Sequence, residues 1–166
     1  MKINFFGKPK SIIFVLLTII AVNFFVFNQT AFAGKFDDEF QIFQLVNSER
    51  YKNHLENLEW DDKLAEMARD YSQKMARENF FEHADLNGKT IVDRAKDWHV
   101  KNWSKIGENL FFSGGVKNFD TLCVRSWMKS PTHRQNILDR SWTATGIGIA
   151  ESKDGKIFIT QVFIER

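Results

Sequence analysis

Two histidines and one glutamate are the residues of this chain whose types could support metal chemistry: His83, Glu108 and His133. Two imidazoles and a carboxylate are the protein ligands of an open zinc site, in which water takes the fourth position. Each of the three residues lies 25 positions from the next, which is not the spacing of a local ligand motif. The residue types therefore indicate a divalent metal site, with zinc as the expected ion, if the fold brings these segments together.

The local setting of each residue indicates where the fold must place it. His83 follows a predicted helix and precedes the turn signal Asn87-Gly88, so we expect it on a loop, where functional side chains are common. Glu108 lies among apolar neighbours in a predicted short strand over 106–112. If it is buried it needs a partner or an ion, and the alternative is that it points into solvent from an edge strand. His133 is expected in the first turn of a helix.

A serine-based catalytic triad is a second arrangement of residues in the same region. Ser130, His133 and Glu108 can be written as nucleophile, base and orienting acid. However, no nucleophile-elbow sequence surrounds Ser130. Its position directly before Pro131 already explains it as the N-cap of a helix. The sequence therefore favours a metal site over a serine hydrolase.

The helices are predicted from apolar residues that recur with the helical period. They cover 36–53, from Asp61 or Asp62 to about Asn79, from Thr90 to about Trp98, from Phe119 to the residue before Pro131, and from Pro131 to Leu138. Residues 58–60 are predicted to be a short connector between the first two helices. His54 and His99 fall at helix ends in polar surroundings and are expected to be solvated.

The end of the chain indicates the fold class. Two predicted strands, over 144–150 and 156–163, flank Asp154-Gly155, a strong hairpin signal. Because the last strand has apolar residues on both faces, helices are expected on each side of the sheet. The pattern predicts a three-layer α/β/α sandwich around a small, mostly antiparallel sheet.

Residues 1–33 have the three-part form of a secretory signal peptide. Lysines at positions 2, 8 and 10 precede an apolar run over 12–27, and Ala31-Phe32-Ala33 is a suitable cleavage site. The alternative is a retained anchor, because an apolar run of about 16 residues approaches the length that spans a bilayer. We expect a secreted or envelope-associated protein, which contacts the membrane only through this leader if the leader is kept.

The remaining residues, 34–166, are expected to form one domain with one core. Three of the 23 basic residues lie in the leader, which leaves 20 basic against 21 acidic residues in the mature chain. The basic excess therefore belongs to the leader and gives no reason to expect nucleic-acid binding. Cys123 is the only cysteine, so packing must stabilise the domain without an internal disulfide. Its position on a helix predicts a buried thiol.

Several ordered motifs resemble those of one known family. They are His83-Ala84-Asp85 followed by Asn87-Gly88, Gly107-Glu108-Asn109-Leu110, the stretch from Trp127 to Leu138, Gly146-Ile147-Gly148-Ile149-Ala150, and Thr160-Gln161-Val162-Phe163. From about Phe40 to Phe163 the chain is similar to bacterial members of the CAP superfamily, which comprises cysteine-rich secretory proteins, antigen 5 and pathogenesis-related 1 proteins. The resemblance implies a CAP (SCP-like) α/β/α sandwich, in agreement with the strand pattern.

The resemblance also implies a surface cleft lined by two histidines and two acids. His83 matches the first histidine, Glu108 the acid of the Gly-Glu-Asn-Leu motif, and His133 the second histidine. The second acid is expected three residues after Trp127, where this chain has Ser130. The cleft therefore lacks one carboxylate, which weakens any mechanism that needs two acids.

Members of the superfamily are associated with sterols and other lipids, with divalent metals and, in some cases, with proteolysis. We expect a metal- or ligand-binding module rather than an enzyme, because no nucleophile is recognisable. One alternative is a metal-assisted extracellular hydrolase with Glu108 as base or ligand. Another is a module that binds lipid or a protein partner, for which Phe80-Phe81 and Phe111-Phe112 would suit an apolar ligand, although such pairs usually belong to the core.

Overall fold

The computed structural model describes residues 37–166, and the predicted leader lies outside that range. Along the described chain the elements are helix α1 (37–52), strand β1 (Glu59–Trp60), helices α2 (Asp62–Glu78) and α3 (Ile91–Asp97), strand β2 (Lys105–Ser113), helices α4 (Phe119–Lys129) and α5 (Pro131–Ile137), and strands β3 (Ala144–Glu151) and β4 (Ile157–Glu165). In this part of the chain no helix is both long and apolar enough to cross a bilayer.

The four strands form one sheet in the order β1-β3-β4-β2. Strands β3 and β4 are the predicted hairpin, and β2 pairs antiparallel with β4 along its whole length. Only β1 runs parallel to its neighbour, β3. The sheet is therefore mostly antiparallel, as predicted, with β4 in its interior and β2 at its edge.

Helices cover both faces of this sheet. On one face, apolar side chains of α2 and α3 pack with inward residues of β3, β4 and β2. On the other face, side chains of α1, α4 and α5 surround Trp127 and the opposite residues of the same strands. Cys123 is fully buried in this second layer. The three-layer α/β/α sandwich predicted from the sequence is confirmed.

Two glycines allow helix α2 to lie directly on strand β3. A Cβ atom on Gly148 would stand 2.0 Å from the backbone nitrogen of Arg69, and one on Gly146 would stand 2.2 Å from that of Ala65. Alternate residues of a strand share one face, and residues four apart share one face of a helix, so the two glycines match two successive helical turns. This close approach fixes α2, which carries Tyr71 towards the site, against the middle of the sheet.

The short connector predicted over 58–60 instead contains strand β1. The Glu59 N–H donates to the Thr143 carbonyl at 3.0 Å, and the Asp61 N–H donates to the Thr145 carbonyl at 2.9 Å. A strand of two residues has no measurable alternation of apolar and polar side chains, so its sequence gives no strand signal. Strand β1 nevertheless extends the sheet beyond β3, and α2 begins two residues after it ends.

Candidate functional site

The loop between α2 and α3 carries His83 and is organised around the Asp85 side chain. Asp85 Oδ1 accepts hydrogen bonds from the backbone N–H groups of Asn87 at 2.8 Å and Lys89 at 2.9 Å, and Lys74 Nζ donates to Oδ2. These hydrogen bonds, that of Lys74 foremost, lower the pKa of Asp85 to about 2. The loop therefore has a defined conformation on either side of its turn.

His83 and Glu108 meet across this loop and strand β2. His83 Nδ1 lies 2.8 Å from Glu108 Oε1, with the imidazole side chain 62% exposed and the carboxylate side chain 3% exposed. The alternative that Glu108 points into solvent from an edge strand is wrong: β2 is an edge strand, but this side chain is buried. The hydrogen bond that the imidazole donates to Glu108 is the main cause that raises the pKa of His83.

Arg94 supplies the second partner of the buried carboxylate. Its Nη2 donates to Glu108 Oε2, while Nη1 donates to the carbonyls of His83 at 3.1 Å and Lys89 at 3.3 Å. Sequence reasoning missed this residue. The available signal was its place on the inner, apolar face of α3 one position before Ala95, where a charged side chain must find a partner.

Tyr71, on helix α2, packs against the Arg94 side chain of helix α3. The guanidinium carbon of Arg94 stands 3.4 Å from the centre of the Tyr71 ring, a cation–π contact. The Tyr71 hydroxyl donates to the Glu82 carbonyl at 2.7 Å. Burial raises the pKa of Tyr71 to about 12, so its hydroxyl remains protonated as a donor at neutral pH.

His133 reaches the site from helix α5, which two asparagines attach to strand β2. Asn109 Nδ2 donates to the His133 carbonyl at 3.2 Å, and Asn136 Nδ2 donates to the Glu108 carbonyl at 3.1 Å and to Asn109 Oδ1 at 2.9 Å. Burial is the main cause that lowers the pKa of His133, and the nearby charge of His83 lowers it further. The fold therefore brings the two imidazoles, 50 positions apart in sequence, close enough to interact.

The far end of α5 is held by a buried cation from α1. Arg50 is 1% exposed and donates to three carbonyls, those of Glu56, Ile137 and Asp139, each at 2.8 Å. The carbonyl end of a helix carries a partial negative charge, which suits a guanidinium. Arg50 thus contributes to the placement of His133 at the other end of the same short helix.

Ser130 occupies the predicted N-cap position of α5, but its side chain makes no capping hydrogen bond there. The backbone of Ser130 instead joins the two helices: its N–H donates to the carbonyls of Ser126 and Trp127 in α4, and its carbonyl accepts from the Arg134 N–H in α5. Pro131 starts the helix as predicted. Because Glu108 is bonded to His83 and Arg94, the triad of Ser130, His133 and Glu108 lacks the acid–imidazole contact that it requires.

The three metal ligands predicted from the sequence, His83, Glu108 and His133, do not form a recognisable three-ligand group in the structure. Within residues 37–166 no three His, Cys, Asp or Glu side chains are grouped so that they could hold an ion. Both oxygens of Glu108 are engaged by His83 and Arg94, which leaves this carboxylate unsuited to be a third ligand. His83 keeps Nε2 for another partner, and burial, which lowers the pKa of His133, favours the neutral form of that imidazole.

The two aromatic pairs divide between core and surface. Phe111 is buried and Phe80 is packed against Tyr71, whereas Phe81 and Phe112 are 42% and 40% exposed. The rings of the exposed pair lie 5.7 Å apart. One residue of each pair therefore belongs to the core, and the other two form a small apolar surface next to the His83 loop.

Comparison with known proteins gives the family. The model of the cysteine-rich secretory protein family, CAP, matches residues 43–163. The chain belongs to the CAP family. The matched range includes all four predicted cleft positions, His83, Glu108, Ser130 and His133.

Two Bacillus subtilis proteins are similar in sequence to this chain. The membrane protein YlbC is 34% identical over 130 residues, which are 77% of this chain and 34% of YlbC. YkwD is 36% identical over 126 residues, which are 76% of this chain and 46% of YkwD. The chain thus spans between a third and a half of the length of these curated relatives.

Solved structures with a CAP fold include extracellular and surface proteins. An extracellular protein with an SCP domain from Bacillus anthracis is 29% identical, with a TM-score of 0.70, over 80% of this chain and 41% of that one. An outer surface protein of Borrelia burgdorferi is 23% identical, with a TM-score of 0.68, over 78% of this chain and 93% of that one. At 23% identity, the similarity to the Borrelia protein shows a shared fold and nothing more.

Proposed function

We propose that this protein is a secreted or envelope-associated CAP module whose cleft binds a divalent metal ion through His83 and His133. The observation that carries the proposal is the 2.8 Å contact between His83 Nδ1 and the buried Glu108 carboxylate. Histidines that bind metal nearly always donate their other ring N–H to such an acceptor. Glu108 is then the orienting partner of a ligand rather than a ligand itself.

Zinc is the expected ion, because neutral imidazole is among its preferred ligands. Bound there, it would supply a Lewis acid to which a carboxylate or phosphate group of an extracellular ligand could attach. Two protein ligands leave positions for water or for such a group. The ligand itself, whether a small molecule, a lipid or a protein, would approach from the exposed side of His83.

The environment of Glu108 favours a binding role over a metal-assisted hydrolase. That hypothesis gives Glu108 the part of general base, which must be free to receive a proton from water. Here Glu108 is buried, and both oxygens are held by His83 and the Arg94 guanidinium. This pairing occupies both oxygens and restrains the movement of the carboxylate.

Calorimetric titration of the purified protein with zinc tests the proposal. The chain has four histidines, and the other two, His54 and His99, are exposed and lie outside the cleft. We expect one zinc per protein, loss of that binding in His83→Ala and in His133→Ala, and unchanged binding in the double control His54→Ala with His99→Ala. Equal zinc binding by the cleft variants and the control would refute the metal site.

A lipid-binding role is the second candidate, and the exposed pair of Phe81 and Phe112 favours it. Their rings contact each other at 5.7 Å and offer an apolar surface beside the cleft. Lipid recovered with protein purified from its native source, and lost in the double variant Phe81→Ser with Phe112→Ser, would support this role. Recovery that is unaffected by the double variant would exclude this surface as the binding site.

A further inference from the structure

Two hydrogen bonds hold His83 from the protein side and a third holds the residue before it, although the His83 imidazole is largely exposed. Its ring Nδ1 is bonded to Glu108, its carbonyl accepts from Arg94, and the preceding carbonyl, of Glu82, accepts from Tyr71. An exposed side chain on a loop ordinarily keeps much of its rotamer freedom, which is costly to remove. Because this imidazole is largely exposed, core packing does not explain why its orientation is fixed.

Arg94 connects two of these restraints through one rigid group. The guanidinium presents its donors in a planar fork, and here the fork joins Glu108 Oε2 to the carbonyls of His83 and Lys89. Arg94 is 7% exposed and lies against the Tyr71 ring at 3.4 Å. Since Tyr71 also holds the Glu82 carbonyl, Arg94 and Tyr71 together fix the buried carboxylate relative to the loop.

We infer that Arg94, seated on Tyr71, is a positioning residue that sets the tautomer and orientation of His83. Arg94 occupies Oε2 of Glu108 and leaves Oε1 to accept from His83 Nδ1–H. In the neutral imidazole the proton is therefore held on Nδ1, and Nε2 keeps the lone pair that a metal ligand needs. What His83 binds rests on the proposed function, but its tautomer is a property of the metal-free protein.

Nitrogen-15 spectra of the histidine side chains in metal-free protein, recorded where His83 is neutral, read the tautomer directly. We expect the Nδ1–H form in the wild type. Arg94→Lys keeps the charge but loses the planar fork, so we expect His83 to shift towards the Nε2–H form and zinc affinity to fall about 10–100-fold. The matched control is Arg69→Lys, because Arg69 pairs with the buried Glu39 and joins α2 to α1. This control should leave the His83 signals and zinc affinity unchanged.

The outcomes separate this inference from the proposed function. A folded Arg94→Lys protein that keeps both the Nδ1–H form and its zinc affinity would overturn the positioning role. So would an Nε2–H form in the wild type, a result that needs no variant to fold. If the wild type binds no zinc but Arg94→Lys still changes the tautomer, the metal function fails while the positioning role stands.

Discussion

Glu108 Oε1 lies 2.8 Å from His83 Nδ1, so a buried carboxylate on strand β2 is the hydrogen-bond partner of an exposed imidazole on the loop after α2. Orienting partners of this kind typically contribute about 10–100-fold to metal affinity. The contact therefore separates two possible roles of Glu108. Glu108 either orients His83 as a metal ligand or is itself a metal ligand.

We expect Glu108→Gln to weaken zinc binding about 10–100-fold without abolishing it. The amide oxygen can still accept from His83, but the negative charge that strengthens this bond is lost. Removing the anion also leaves the buried Arg94 unpaired, so the free energy of unfolding should fall by about 3–5 kcal/mol. Calorimetry and urea unfolding measure the two effects, with Glu82→Gln on the exposed loop as the control. Complete loss of zinc binding in folded protein would identify Glu108 as a ligand.

The contact between α2 and β3 predicts a severe effect of one added methyl group. Gly148→Ala places a Cβ atom 2.0 Å from the Arg69 backbone nitrogen, so the helix must move away from the sheet. We expect a loss of more than about 3 kcal/mol in the free energy of unfolding, at the upper end of overpacking effects. Gly114→Ala is the matched control, since a Cβ there meets no atom within 4 Å. Similar urea midpoints for the two variants would show that this packing is not tight.

The buried guanidinium of Arg50 predicts a second stability effect. Arg50→Met removes three hydrogen bonds and leaves the carbonyls of Ile137 and Asp139 without this donor. Because buried acceptors that lose a charged donor are costly, we expect a loss of about 3 kcal/mol or more. Lys52→Met, two residues along α1, removes only a largely exposed ion pair with Glu49 and should cost less than about 1 kcal/mol. Equal losses in chemical unfolding would contradict the assigned role of Arg50.

Tyr71 predicts a pH dependence at the alkaline end. Its pKa is raised from 10.0 to about 12 by burial, so the folded state holds the phenol proton more tightly than the unfolded state does. The resulting stability is fully present below pH 10 and is lost as pH rises towards 12. The chain has two tyrosines, so Tyr51→Phe leaves Tyr71 as the single phenol for absorbance titration. A midpoint near 10 in folded protein would show that Tyr71 is not held in this environment.

Much of the fold could be predicted from the sequence, because turns and helix starts are marked by residues that are adjacent in the chain. Asp154-Gly155 marks the hairpin, and Ser130-Pro131 marks the start of α5. The parallel pairing of Glu59 and Trp60 with β3 was not accessible, since two residues are too few to show a period. The lack of a capping bond from Ser130 likewise depends on how its side chain is turned, which residue type does not determine.

The site was only partly accessible, because its contacts join distant segments. Residue types and the family resemblance selected His83, Glu108 and His133, and the structure adds which atoms meet. Arg94, which donates to Glu108, lies 14 positions before it on another element, and this contact supports the proposal that Glu108 orients a ligand rather than being one. No spacing rule predicts such a tertiary contact, although a charged residue on the apolar face of α3 indicates that one is needed.

The most direct test of the metal site is a crystal structure of the protein grown with zinc and phased on the zinc anomalous signal. We expect one ion about 2.0–2.1 Å from His83 Nε2 and from a ring nitrogen of His133, with His83 Nδ1 still hydrogen-bonded to Glu108. An ion coordinated by the Glu108 carboxylate, or the absence of zinc at both imidazoles under saturating zinc, would contradict the proposed site.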